Sequence, residues 1–88
     1  MDINKLIKRI KKYNKNADFN LIAKAYLFAK KAHEKQLRKS GDSYIIHPLN
    51  VAYILADLKL DEIIIASALL HDVLEDTDVT IEKLKQEF

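Results

Sequence analysis

His71, Asp72, Glu75 and Asp76 place four groups able to hold a cation or move a proton within a six-residue stretch. On a helix turning about 100° per residue they fall within roughly 140° of the circumference and share one face. His71 pairs with Glu75, and Asp72 with Asp76, at i, i+4 spacing. The acids stand at the wrong end of such a helix, because the macrodipole is negative at a C-terminus. Carboxylates that close a buried helix need a counter-charge, and no Lys or Arg lies between Leu60 and Ile81. A bound cation would provide it, and a local rule broken without compensation marks a functional site. An imidazole and carboxylates without sulfur suit Mn, Fe, Zn or Mg rather than copper(I) or an iron–sulfur cluster. The plainer alternative for a His-Asp dipeptide is a capping histidine beside a solvated acid.

Two other histidines and one loop bear on this chemistry. His47 precedes Pro48, at what reads as a helix start, and is the natural additional ligand; its alternative is an ordinary N-cap or core-edge histidine. His33 lies among apolar positions and reads as a packed, hydrogen-bonded structural residue rather than a ligand. The segment Arg38-Lys39-Ser40-Gly41 offers two cations, a hydroxyl and backbone amides. Such a loop can hold a phosphate or stack a guanidinium on a base, or it can be an exposed basic turn.

The elements that must carry these residues are helices. Ile3, Leu6, Ile7 and Ile10 form one apolar stripe over Ile3–Tyr13, opposite lysines. Asp18 is an N-cap for a second helix over about Phe19–Leu37, with Ile22, Tyr26, Ala29 and His33 on one side. Arg38–Ile46 holds the only glycine and reads as a loop. His47-Pro48 predicts an abrupt helix start, because a residue before proline is pushed out of the α region. The third helix spans about Pro48–Leu58, with Val51, Ile54 and Leu55 inward. Asp61 caps a fourth that reaches about Glu75 and is apolar nearly all round from Ile63 to Leu70, as in a buried bundle helix. Thr80 caps the last.

Composition agrees with a small helical domain. The 88 residues allow one domain, and a single glycine and a single proline argue against an all-β fold. The longest apolar run, Ile63–Leu70, is far below the roughly 18 residues of a membrane span. Without cysteine, disulfides and thiolate metal sites are excluded; with no apolar core segment at the N-terminus, a cytoplasmic home is expected. Charge is uneven. Residues 1–40 hold twelve Lys/Arg against three Asp/Glu, a net +9, whereas residues 61–88 hold two against eight, a net −6. That asymmetry suits either a phosphate-binding surface facing a metal-binding one or ordinary solvated helix faces. Nucleic acid is not expected as a partner, because the basic first helix lacks stacking aromatics apart from Tyr13.

Two stretches, AYLFAKKAHEKQLRKSGDSYIIHPLNVAYILADLKLD and IIIASALLHDVLEDTDVT, together resemble the N-terminal hydrolase domain of the RelA/SpoT-type alarmone enzymes. These bifunctional GTP pyrophosphokinase and (p)ppGpp hydrolase proteins belong to the HD phosphohydrolase superfamily. The motifs R-K-S-G-x-x-Y-x-x-H-P and A-L-L-H-D-x-x-E-D-T occur in order, and the resemblance covers about residues 20–88. It implies an all-α HD-domain bundle of about five helices that binds Mn2+, with His47, His71 and Asp72 as metal ligands. Glu75 and Asp76 match the family's catalytic acidic pair, which activates and orients water. Arg38, Lys39 and Ser40 match the segment that contacts the guanosine polyphosphate nucleotide.

The implied reaction removes pyrophosphate from the 3′ position of ppGpp or pppGpp, giving GDP or GTP, in a parent that is also a GTP pyrophosphokinase. The family's fourth ligand, an aspartate, lies well downstream of E-D-T, and this chain stops before it; residues 1–88 therefore read as a partial HD domain, its N-terminal half. Two alternatives stand beside this reading. One is a stand-alone HD phosphohydrolase acting on another nucleotide. The other is a catalytically dead fragment that serves as a self-associating helical module, a homo-oligomer formed through apolar helix faces left uncovered.

Overall fold

A computed structural model describes residues 2–34 and 44–88. Among these, six helices and no strand occur: α1 (Ile3–Tyr13), α2 (Phe19–Ala32), α3 (Ile46–Asp57), α4 (Glu62–Leu70), α5 (Val73–Asp76) and α6 (Ile81–Glu87). The architecture is the expected all-α bundle, with one more helix than anticipated because the fourth is in two pieces.

Four of the helices start at side chains that satisfy orphan amides locally. Asp2 accepts from the Lys5 amide at 2.9 Å, Asp18 from Leu21 at 3.0 Å, Asp61 from Ile64 at 2.9 Å and Thr80 from Lys83 at 3.2 Å. The third helix departs from expectation. It begins at Ile46, so His47 is helical and Pro48 is the third helical residue. Proline is tolerated there because the first four amides of a helix have no intrahelical partner to lose.

The end of α3 is a Schellman motif. Leu60 donates its amide to the Leu55 carbonyl at 3.2 Å and Lys59 to Ala56 at 2.9 Å, with Lys59 at φ 60° in the left-handed region.

Helix α4 packs against α2 and α3, and α1 lies against both α2 and α3. The main core joins Leu6 and Ile10 of α1, Ile22 and Ala25 of α2, Leu49, Ala52, Tyr53 and Ala56 of α3, and Ile65, Ala66 and Leu69 of α4. Alanines at these crossings let helix backbones approach closely, and each fully buried Leu or Ile contributes about 1.5–3 kcal/mol. A smaller cluster of Ala29, Ile45 and Val73 ties the end of α2 to the start of α3 and to α5.

Two inward faces differ from expectation. On α3 the buried residues are Pro48, Leu49, Ala52, Tyr53 and Ala56, while Ile54 is 61% exposed. The Tyr53 hydroxyl reaches the Asp2 carbonyl at 2.8 Å, so a polar tip is satisfied inside and the aliphatic neighbour faces out. Helix α4 buries one side only: Ile65, Ala66, Ala68 and Leu69 are inside, whereas Ile63 and Ile64 are exposed. No helix among the described residues is long and apolar enough to cross a membrane.

Candidate metal centre

The site is assembled where α3 begins and α4 ends. His47 projects from the first turn of α3. His71 is the C-cap of α4, and Asp72 is the single residue between it and α5. A continuous helix to Glu75 is therefore corrected. The His71 amide makes only a long 3.5 Å bond to Ala68, and the ring Nδ1 meets the same carbonyl at 2.9 Å. A side chain competing for the carbonyl that would continue the helix loosens the last turn. Asp72 then takes φ −91°, ψ −5° and the chain re-enters helix at Val73.

This geometry fixes the tautomer of His71. A carbonyl only accepts, so Nδ1 is the donor, and in the neutral ring Nε2 carries the lone pair. That nitrogen lies 3.1 Å from Asp72 Oδ1, and the second oxygen, Oδ2, lies 3.8 Å from His47 Nε2. Two acceptors at 3.1 Å repel unless a proton or a cation lies between or beside them. Ligand atoms from His47, His71 and Asp72 all lie within 4.8 Å of one another. An ion with ligands about 2.1 Å away needs donors roughly 3–4 Å apart; the 3.1 and 3.8 Å pairs meet that spacing, and the three residues are a candidate holder of a divalent cation of the nitrogen/oxygen class. The Asp72 side chain is only 13% exposed, against 38% for His47 and 47% for His71. A sequestered carboxylate beside two open imidazoles leaves the outer side of the site accessible to water and substrate.

The expected acidic pair divides. Asp76 is joined to the site through Tyr44, whose hydroxyl donates to Asp76 Oδ2 at 2.7 Å and lies 3.3 Å from Asp72 Oδ2. The hydrogen bond to Asp76, then burial and the charge of Asp72, raise the Tyr44 phenol well above its ordinary range. Glu75 is exposed and is not brought into this network. Arg38, Lys39 and Ser40 lie outside the described residues. His33 is buried, as expected of a structural histidine, and its ring stacks on Tyr44 at 4.5 Å between centroids, 22° from parallel.

Tyr44 is the side chain of this cluster that reading by residue type passes over. Its position three residues before His47, inside the loop-to-helix motif, was the available signal. Its ring also meets His47 edge-on at 6.4 Å, and the His47 and His71 rings lie 6.0 Å apart.

Comparison with known proteins identifies the family. The HD domain family matches residues 25–88. Over 79 residues the chain is 49% identical to a GTP pyrophosphokinase of Myxococcus xanthus, covering 90% of this chain and 10% of that protein. Over 67 residues it is 58% identical to a guanosine-3′,5′-bis(diphosphate) 3′-pyrophosphohydrolase of Aquifex aeolicus, covering 76% of this chain and 10% of that protein. The GTP pyrophosphokinase rsh of Brucella melitensis is 47% identical over 83 residues, covering 94% of this chain and 11% of that protein. The chain thus spans about a tenth of the length of these relatives.

Proposed function

This chain belongs to the HD domain family and is similar to RelA/SpoT-type enzymes, and we propose that it forms part of a metal-dependent hydrolase that removes the 3′-pyrophosphate of ppGpp or pppGpp. The observation that carries this reading is the convergence of His47, His71 and Asp72 on one point, joined to 58% identity with a relative named for that hydrolysis. His47 Nε2, His71 Nε2 and an Asp72 oxygen are the donors that would hold the ion. Its nitrogen and carboxylate set suits Mn2+. A divalent cation there supplies positive charge that offsets charge building on the phosphoryl oxygens, and makes water acidic enough to attack near neutral pH.

The protein's own groups do the rest. The Ala68 carbonyl, by holding Nδ1–H of His71, keeps the Nε2 lone pair aimed at the site. Glu75 and Asp76 are the carboxylates assigned to the proton of the attacking water; Asp76 is joined to the site through Tyr44, whereas Glu75 stands outside that network. Water adds to the phosphorus attached to the 3′ oxygen, the bond from that phosphorus to the 3′ oxygen breaks, and the nucleotide leaves with a proton as GDP or GTP. Arg38, Lys39 and Ser40 are assigned to the nucleotide, with the guanidinium suited to stacking or bidentate phosphate contact. This reading makes the protein cytoplasmic, acting beside a GTP pyrophosphokinase activity in the same polypeptide.

The test joins binding to turnover. Mn2+ is titrated into the purified full chain and His71→Ala and followed by EPR, and pyrophosphate release from ppGpp is measured for the full-length protein. One-to-one binding lost in the variant, with pyrophosphate released, is expected. Equal, weak binding in both would remove the site assignment. Intact binding with ppGpp untouched but another nucleotide hydrolysed would transfer the function to a different phosphohydrolase.

A further inference from the structure

Tyr44 meets one proposed ligand ring and two carboxylates of the site. It precedes α3, yet its ring packs on buried His33 beyond the end of α2, and its edge meets His47. Its hydroxyl reaches Asp76 on α5 and Asp72 in the joint between α4 and α5. The ring is held by the stack, so the position of the oxygen is set by packing rather than by the carboxylates it meets. A phenol has one proton to donate. The 2.7 Å contact takes it to Asp76 Oδ2, while Asp72 Oδ2 at 3.3 Å receives the weaker share. That Asp72 oxygen is the one lying 3.8 Å from His47. The phenol therefore marks where each of two neighbouring carboxylates can stand. Asp76 is held at the hydroxyl, and Asp72 keeps one oxygen toward His71 and the other toward His47.

We propose that Tyr44 is a positioning residue of the metal centre, one that holds Asp76 as an outer carboxylate and orients Asp72 as the aspartate facing both histidines. This inference rests on the metal reading above and adds a residue to which neither family motif assigns a role. A partner that orients a ligating carboxylate typically changes metal affinity by about 10–100-fold when removed.

The experiment measures Mn2+ affinity by EPR, and melting of the metal-free chain by circular dichroism, for the full chain, Tyr44→Phe and His71→Ala. Tyr44→Phe keeps the ring on His33 and removes only the hydroxyl. It is expected to weaken Mn2+ binding at least about 10-fold with little change in metal-free melting. A purely structural Tyr44 would instead lower the metal-free melting temperature and leave affinity unchanged. If the parent binds, His71→Ala does not, and Tyr44→Phe stays within twofold of the parent, the role of Tyr44 is refuted while the metal site stands. If neither the parent nor His71→Ala takes up the ion, the metal reading falls and takes this inference with it.

Discussion

The arrangement around Asp72 predicts an inversion of stability that depends on metal. Without an ion, and with the His71 ring neutral, the carboxylate faces the His71 Nε2 lone pair at 3.1 Å with 13% of its side chain exposed. That contact opposes folding rather than supporting it. Asp72→Asn keeps the shape, removes the charge and gives an amide that can donate to Nε2. The metal-free variant should therefore melt at or above the parent, by up to about 0.5 kcal/mol, or roughly 2–4 °C for a domain of this size. With Mn2+ at about 100 times its dissociation constant, the parent should gain about 2.7 kcal/mol. At roughly 4–8 °C per kcal/mol that is a rise of about 11–22 °C, and the variant should show almost none of it. Thermal melts at 222 nm, with Mn2+ and with chelator, measure all four states. The reasoning fails if Asp72→Asn lowers metal-free stability by more than about 1 kcal/mol, as loss of a favourable buried ion pair would, or if it rises as far with Mn2+ as the parent does.

Other outcomes follow from single features. Lys59 holds a left-handed φ of 60° at the end of α3, a conformation that costs a non-glycine residue about 1–2 kcal/mol. Lys59→Gly should raise the melting temperature by several degrees, and an unchanged or lower value would show that the Schellman end is not strained. Tyr13 and Tyr53 are raised above pH 10.0 mainly by burial, and Tyr44 by its bond to Asp76. A phenol whose folded pKa lies above its unfolded value stabilises fully below pH 10 and loses that contribution as pH rises through the folded value. Absorbance titration at 295 nm should place the ionisation of these three above pH 10, with stability falling in the same window; ionisation at 10 with flat stability would contradict it. Leu27, Ile54, Leu58 and Ile63 are each more than 60% exposed, and sedimentation velocity should show concentration-dependent association that Ile63→Glu reduces. A strictly monomeric profile at high concentration would end that expectation.

Local chemistry was legible where a residue acts within one turn of itself. Asp18, Asp61 and Thr80 mark their helix starts because an N-cap bonds an amide three residues on. The stripe of Leu6 and Ile10 was equally plain. Features that depend on distant partners were not. Tyr53 is inside and Ile54 outside because a carbonyl of Asp2, far away in sequence, accepts the phenol. Helix α4 ends at Leu70 because the His71 ring captures the Ala68 carbonyl, and periodicity carries no trace of such competition. At the site, residue type and spacing raised His71, Asp72, Glu75 and Asp76, with His47 as an additional ligand, and the family resemblance narrowed the ligands to His47, His71 and Asp72, which the fold does bring together. Tyr44 carries no such mark, since its importance comes from reaching Asp72 and Asp76 across the bundle.

Helix α1 lies wholly before residue 25, where the HD domain match begins, yet it is woven into the rest of the domain. Leu6 and Ile10 are fully buried in the main core. Arg9 grips Asp57 through both carboxylate oxygens at 2.8 and 3.0 Å, Tyr13 bonds the Leu60 carbonyl at 2.8 Å, and Tyr53 bonds Asp2. The boundary of the HD family match and the boundary of cooperative folding are thus different places in this chain. An excised piece starting at the family boundary would lose the lid over Ala52, Tyr53 and Ala56. It would present that apolar face of α3 to water and leave the first turn of the same helix, where His47 sits, on a loosened foundation.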